Sequence, residues 1–337
     1  MGTQNFEFEL YVCISGIFVV TTLLVLALIV GFTILATVVA YLIAPLAFFG
    51  LLMKLAGRIR GLQWKTYKGW PIIEGGSPSV PGEPVIILVH GFGVDKQTMF
   101  GLARELTSQH RIHAIDLPGF GDHHIDDPTV MNIDAFTEAV HSYLDLRKLD
   151  NVVLVGSSMG GAVSAACAIR YPQRIAGLCL IGPAGLQPPV ETELFKMGLR
   201  EENGLRVDSV ESFDRIFNMN FSHPPPMPEG LKLALVEDAA KRADHHEEIL
   251  RAMGETLMDG LRENIKDIVC PVCVVWGDED EIIHPSVAPH WEERLSDVEM
   301  NIMPNAGHST QMEFPREVAE VINRLMRKIN SSHQSSK

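Results

Sequence analysis

Val152-Val153-Leu154-Val155-Gly156-Ser157-Ser158-Met159-Gly160-Gly161 is the stretch on which the fold turns. Its four leading apolar residues read as a strand buried on both faces. The pentapeptide Gly156 to Gly160 follows at once, with a serine at its centre. Glycine on both sides of that serine allows a sharp passage from strand to helix, so the hydroxyl projects from a crowded corner as a nucleophile does. A register centred on Ser157 would need glycine at 155, where the chain has Val155, so Ser158 is the residue selected. Five residues can match by chance, and the assignment depends on what surrounds them.

Working outward, Val85–Val89, Ile112–Ile115, Gly177–Ile181, Val272–Trp276 and Val298–Met303 read as further strands. Helical sequence alternates with them near 98–108, 133–146 and 160–171; Ile133, Phe136, Val140 and Leu144 fall at helical spacing. A last helix reads from Pro315 to about Ile329. Such alternation means βαβ units, hence an α/β fold with a mostly parallel central sheet flanked by helices. Residues 71–84, rich in Gly, Pro and Ser, read as a loop. Residues 185–264 break the rhythm with Pro188-Pro189, the run His223 to Pro228, and helical stretches near 209–218 and 230–258. They read as an inserted helical cap. The expected division is therefore a membrane anchor over 1–60, a first core segment over 61–184, the cap over 185–264, a second core segment over 265–330 and a disordered tail over 331–337.

An acyl-transfer serine needs a base, an orienting acid and donors for the oxyanion. His90-Gly91-Phe92-Gly93 ends the first central strand, which makes the Phe92 amide one expected donor and the Met159 amide, directly after the nucleophile, the other. Gly277-Asp278-Glu279-Asp280 follows the next-to-last strand. Asp278, Asp280 and Glu281 compete there for the acid, with Asp280 preferred. Among the histidines downstream, His284, His290, His308 and His333, only His308 sits on a loop immediately after a strand.

From Tyr11 to Met53 the chain has no Asp, Glu, Lys, Arg or His. That stretch holds at least one transmembrane helix, since one bilayer core needs about 20 apolar residues. Either a span near 12–34 precedes an interfacial segment, which is the preferred reading, or two short spans break near Gly31 or Pro45. A cleaved signal peptide is disfavoured, because Glu7 and Glu9 stand where cations belong and the apolar run is too long. Lys54, Arg58, Arg60, Lys65 and Lys68 follow the run, so the positive-inside bias puts the next domain in the cytoplasm. Residues 70–337 carry 23 Lys and Arg against 40 Asp and Glu, which argues against nucleic-acid binding. Cys270-Pro271-Val272-Cys273 matches a C-x-x-C spacing but sits in a buried strand with no second ligand pair, so neither metal nor redox chemistry is expected.

Together these blocks resemble the α/β-hydrolase superfamily across roughly 83–329, and within it the membrane-anchored monoacylglycerol lipases of the hydrolase-domain group. The resemblance rests on the anchor, His90-Gly91-Phe92, Gly156 to Gly161, Leu178 to Gln187, Trp276 to Asp280 and Asn305-Ala306-Gly307-His308-Ser309. It implies a triad of Ser158, Asp280 and His308, the acid at the fourth position of Gly277–Asp280. It also implies a cofactor-free serine hydrolase of membrane lipid esters, monoacylglycerols first among them, with no metal. The readings weighed against it are a C–C bond hydrolase of ring-cleavage dienones, which shares the G-x-S-M-G elbow, and a non-catalytic membrane adaptor that kept the fold.

Overall fold

The computed structural model describes residues 2–200 and 202–335, so Met1, Glu201 and the last two residues of the expected tail, Ser336 and Lys337, lie outside it. The apolar N-terminus forms a helix α1 (Gly2–Ile43) of 42 residues. Within it Val25–Ile43, at mean hydropathy 2.6 and with none of it buried, is long and apolar enough to cross a membrane. The helix does not end near residue 34 or break at Gly31. A single glycine weakens a helix without stopping it, whereas Pro45 removes a donor and restricts the residue before it. Ala44 accordingly leaves helical geometry, and α2 (Pro45–Ile59) starts afresh.

Eight strands form one sheet in the order β1-β2-β4-β3-β5-β6-β7-β8. They are β1 (Gln63–Tyr67), β2 (Trp70–Gly75), β3 (Ile86–Val89), β4 (Ile112–Ile115), β5 (Val152–Ser157), β6 (Ile175–Ile181), β7 (Val272–Gly277) and β8 (Val298–Met303). From β4 to β8 every pairing is parallel. Only β1 with β2 and β2 with β4 run antiparallel. The β1–β2 hairpin was not expected, and β2 occupies part of the stretch read as a loop. Its two-residue turn, Lys68-Gly69, has both residues at positive φ, the geometry that matches the twist of a tight hairpin. Pro71 near the start of β2 and Gly75 at its end masked the strand as loop-like sequence.

The helices between strands are α3 (Phe100–Leu106), α4 (Ile133–Arg147) and α5 (Met159–Arg170), with four among the described residues of the insertion between β6 and β7. Those four are α6 (Glu193–Leu199), α7 (Val210–Asn220), α8 (Glu229–Ala240) and α9 (Ala243–Asp259). The helical stretch expected over 230–258 is α8 and α9, separated at Lys241–Arg242, and α9 is itself kinked at Gly254, whose φ of 48° and ψ of −138° are not helical. Short α10 (Ala288–Glu292) and α11 (Thr310–Glu313) precede α12 (Pro315–Ser335). α12 continues past Ile329, so residues 331–335 of the expected disordered tail are helical. The Ser331 and Ser332 hydroxyls bond back to the Lys328 carbonyl, which satisfies polar side chains inside an exposed turn.

Alternation along the strands splits the core in two. Ile87, Val89, Leu154, Leu178, Leu180, Val274 and Trp276 join α4 and α5 on one face. Ile86, Leu88, Val153, Val155, Cys179, Cys273 and Val275 join α3 and α12 on the other. That is why these strands read as unbroken apolar runs. Cys273 is the in-register neighbour of Cys179, and both thiols are buried in the second core.

Candidate active site

The site is built at the carboxyl ends of β3, β5, β6, β7 and β8. Ser158 joins β5 to α5 at φ 56° and ψ −119°, a strained conformation for a residue with a side chain. Its flanking glycines are sterically required. A Cβ at Gly156 would sit 2.1 Å from the Gly160 carbonyl oxygen, and one at Gly160 would sit 2.4 Å from the carbonyl oxygens of Val89 and His90. The elbow is held from behind. Its amide donates to Ile181 O at 2.8 Å, and its carbonyl accepts from Gly161 at 2.9 Å and Ala184 at 3.1 Å.

Asp280 is 2 % exposed and His308 6 %. His308 Nδ1 donates to Asp280 Oδ2 at 2.7 Å, so the acid engages Nδ1 and not Nε2. Asp280 is itself fixed by three further donors. The Ile282 and Ile283 amides reach Oδ1 at 2.9 Å each, and the Trp276 indole N–H reaches Oδ2 at 3.1 Å. Of the acids that competed in the sequence, Asp278 and Glu281 are exposed and Asp280 alone meets the histidine. Gly182, which follows Ile181, closes the arrangement. At φ +47° it has no Cβ; one placed there would lie 3.2 Å from His308 Nδ1 and 3.3 Å from Asp280 Oδ2.

The loop after β3 lies against the serine: a Cβ at Gly91 would be 3.2 Å from Ser158 Cβ. His90, fully buried, organises that loop. Its Nε2 accepts from the Leu117 amide at 3.0 Å, so Nδ1 carries the proton and donates to Gly91 O at 2.7 Å. Burial pushes the His90 pKa down, which keeps the ring neutral and this pattern intact. Because a trans peptide sets its C=O and N–H in opposite directions, binding the Gly91 carbonyl also orients the Phe92 N–H. Met159 is the first residue of α5, so its N–H has no carbonyl partner within the helix. Lys96, buried, pairs with Asp116 at 2.6 Å and Asp122 at 2.8 Å and ties the β3 loop to the β4 loop.

The helical insertion reaches this corner from two directions. His246 on α9 packs its ring on Phe120 and Phe92, with centroids 5.0 Å and 5.9 Å apart, and burial pushes its pKa down to about 4. Asn220, the last residue of α7, accepts from the Ser309 amide at 2.9 Å, while Glu313 accepts from Gly307 N at 2.7 Å. These bonds grip the loop that carries His308. Beside it opens a cavity of about 640 Å³ whose walls include Phe221, Pro225, Met312 and Phe314.

Phe92 thus lies beyond the carboxyl end of β3, Ser158 and Met159 at that of β5, Asp280 beyond β7 and His308 beyond β8. Sequence reading gave no role to Trp276, Gly182, Asn220 or Glu313. Trp276 stands four residues before Asp280 within a motif already noticed, and Gly182 follows a strand where a turn glycine is a signal; Glu313 bonds only six residues back, to Gly307, while Asn220 acts through a contact distant in the chain.

The model of the alpha/beta hydrolase family matches residues 86–321. Lipase 1 of Psychrobacter immobilis is 30 % identical over 72 % of this chain and 76 % of its own length. Human monoacylglycerol lipase ABHD6 is 25 % identical over 76 % of this chain and 80 % of its own. Among solved structures, a membrane phospholipase A described as a novel bacterial virulence factor superposes with a TM-score of 0.79 at 29 % identity, covering 91 % of this chain and 98 % of that one.

Proposed function

Because the chain belongs to the alpha/beta hydrolase family, we propose that it is a serine hydrolase of lipid carboxylic esters, monoacylglycerols first among them. The observation that carries this reading is the buried Asp280–His308 hydrogen bond, packed against the Gly182 turn whose preceding carbonyl holds the Ser158 amide. Ser158 Oγ attacks the ester carbonyl as His308 Nε2 takes its proton, and Asp280 stabilises the imidazolium. The Phe92 and Met159 amides receive the oxyanion. His308 then protonates the departing glycerol oxygen, leaving the acyl chain on Ser158. A water deprotonated by His308 releases the fatty acid and restores the serine.

The lipase and monoacylglycerol lipase relatives support a lipid ester as substrate. The helix α1 supports anchoring in a bilayer, where such substrates partition, and the cations from Lys54 to Lys68 support a cytoplasmic catalytic domain.

The test is a panel of monoacylglycerol, phospholipid and short-chain esters, with wild-type and Ser158→Ala protein in detergent micelles. Monoacylglycerol turnover that falls by several orders of magnitude in the variant supports the reading. Turnover of none of the esters by the wild type, or near-normal turnover by Ser158→Ala, contradicts it.

A further inference from the structure

Helix α2 is apolar on two opposite sides, and only one is covered. Inward, Met53 and Ala56 pack on the second core, and Gly57 lies so close to Trp64 that a Cβ there would be 2.6 Å from the indole. Outward, Leu51, Leu55 and Ile59 follow each other at four-residue spacing with Leu52 beside them, and Ile59 is 84 % exposed. Lys54, Arg58 and Arg60 are exposed around this stripe, and none of the three makes an ion pair among the described residues. An uncovered aliphatic stripe edged by exposed cations fits one surface well: acyl-chain ends beneath anionic headgroups.

Position argues the same way. A single residue, Ala44, separates the apolar window ending at Ile43 from α2, and it carries the chain out of the α1 direction at φ −145° and ψ 69°. The Tyr41 hydroxyl lies 3.1 Å from where a Cβ on Gly230 would stand, so the end of α1 rests beside α8 of the insertion. Fifteen residues make about 22 Å of helix, short of the roughly 30 Å hydrocarbon core, and α2 holds two cations of its own, Lys54 and Arg58. It therefore does not return through the bilayer.

We propose that the outward face of α2 lies in the headgroup boundary of an anionic leaflet, a second membrane contact next to the span. This rests on the anchored reading above and deepens it: α2 packs inward on the core, so the catalytic domain is held at the leaflet surface in one orientation rather than swinging on a tether. Each cation at such a surface favours docking by about fivefold.

The experiment uses the full chain, with Cys13→Ser and a bimane label at Leu35→Cys in α1 or Leu52→Cys in α2, in phosphatidylcholine vesicles with and without phosphatidylglycerol. Brominated lipids quench from the membrane and iodide from the water. The expected result is deep lipid quenching at position 35, and at position 52 shallow lipid quenching with loss of iodide access. The protection at 52 increases with phosphatidylglycerol, and Lys54→Gln with Arg58→Gln and Arg60→Gln removes that increase. Iodide access at 52 while 35 remains in lipid overturns the docking of α2 alone. Shielding of 52 from both quenchers, with crosslinking between copies, overturns it in favour of a second chain. Iodide access at 35 overturns the anchor and the docking together.

Discussion

The Ser158 amide donates to the Ile181 carbonyl at 2.8 Å, so the serine elbow is tied to the residue just before Gly182. The same glycine faces the Asp280–His308 pair. Two functions meet in one peptide: it anchors the strained serine, and it leaves room for the histidine and acid.

Gly182→Ala should therefore damage activity more than its size suggests. The new methyl would stand 3.2 Å from His308 Nδ1, at a φ of +47° that alanine adopts only under strain. Steady-state kinetics on a monoacylglycerol should show kcat reduced by at least about tenfold, since small displacements of a catalytic group are costly. Thermal melting should drop only modestly, by about 1–3 kcal/mol in stability. Unchanged kcat would mean that His308 and Asp280 do not need their present places.

Asp280→Asn separates orientation from packing. The amide keeps the shape and can still accept from Ile282, Ile283 or Trp276, but it loses the charge that stabilises an imidazolium and can present N–H to His308. The expectation is a fall in kcat of about 10⁴ with a near-native circular dichroism spectrum. A loss of tenfold or less would point to another acid.

Stability should depend on pH through His113. Burial, and then the neighbouring Arg147, push its pKa from 6.5 down to about 3, and the Tyr143 hydroxyl sits 2.9 Å from its Nδ1. Between those values the unfolded chain binds a proton that the folded chain refuses. Stability is complete above about pH 6.5, declines as the pH falls through that window, and the loss is full near pH 3. Melting curves in micelles between neutral pH and pH 5 should fall less steeply for His113→Gln than for the wild type. Parallel curves would contradict this.

Much of the molecule was legible because its central strands are buried on both faces and each candidate catalytic residue follows a strand, Ser158 after buried β5, Asp280 after buried β7 and His308 after the half-buried edge strand β8. Val85–Val89 and Val152–Val155 announce themselves as apolar runs, and His308 was the only downstream histidine directly after a strand. The β1–β2 hairpin was not legible: β1 is largely exposed, so it carries no apolar alternation, and the turn depends on the positive φ of Lys68, which composition does not advertise. The grip of Asn220 on the His308 loop was hidden for a different reason. The Asn220–Ser309 contact joins residues 89 apart in the chain, and no local pattern encodes it.

The central claim is that Ser158 is the nucleophile. Intact-mass and peptide mapping of the full-length protein after reaction with a fluorophosphonate tests it most directly. One adduct is expected, on Ser158, lost in Ser158→Ala and strongly slowed in His308→Ala. An adduct on a different residue, or none on protein that still turns over ester, would contradict it.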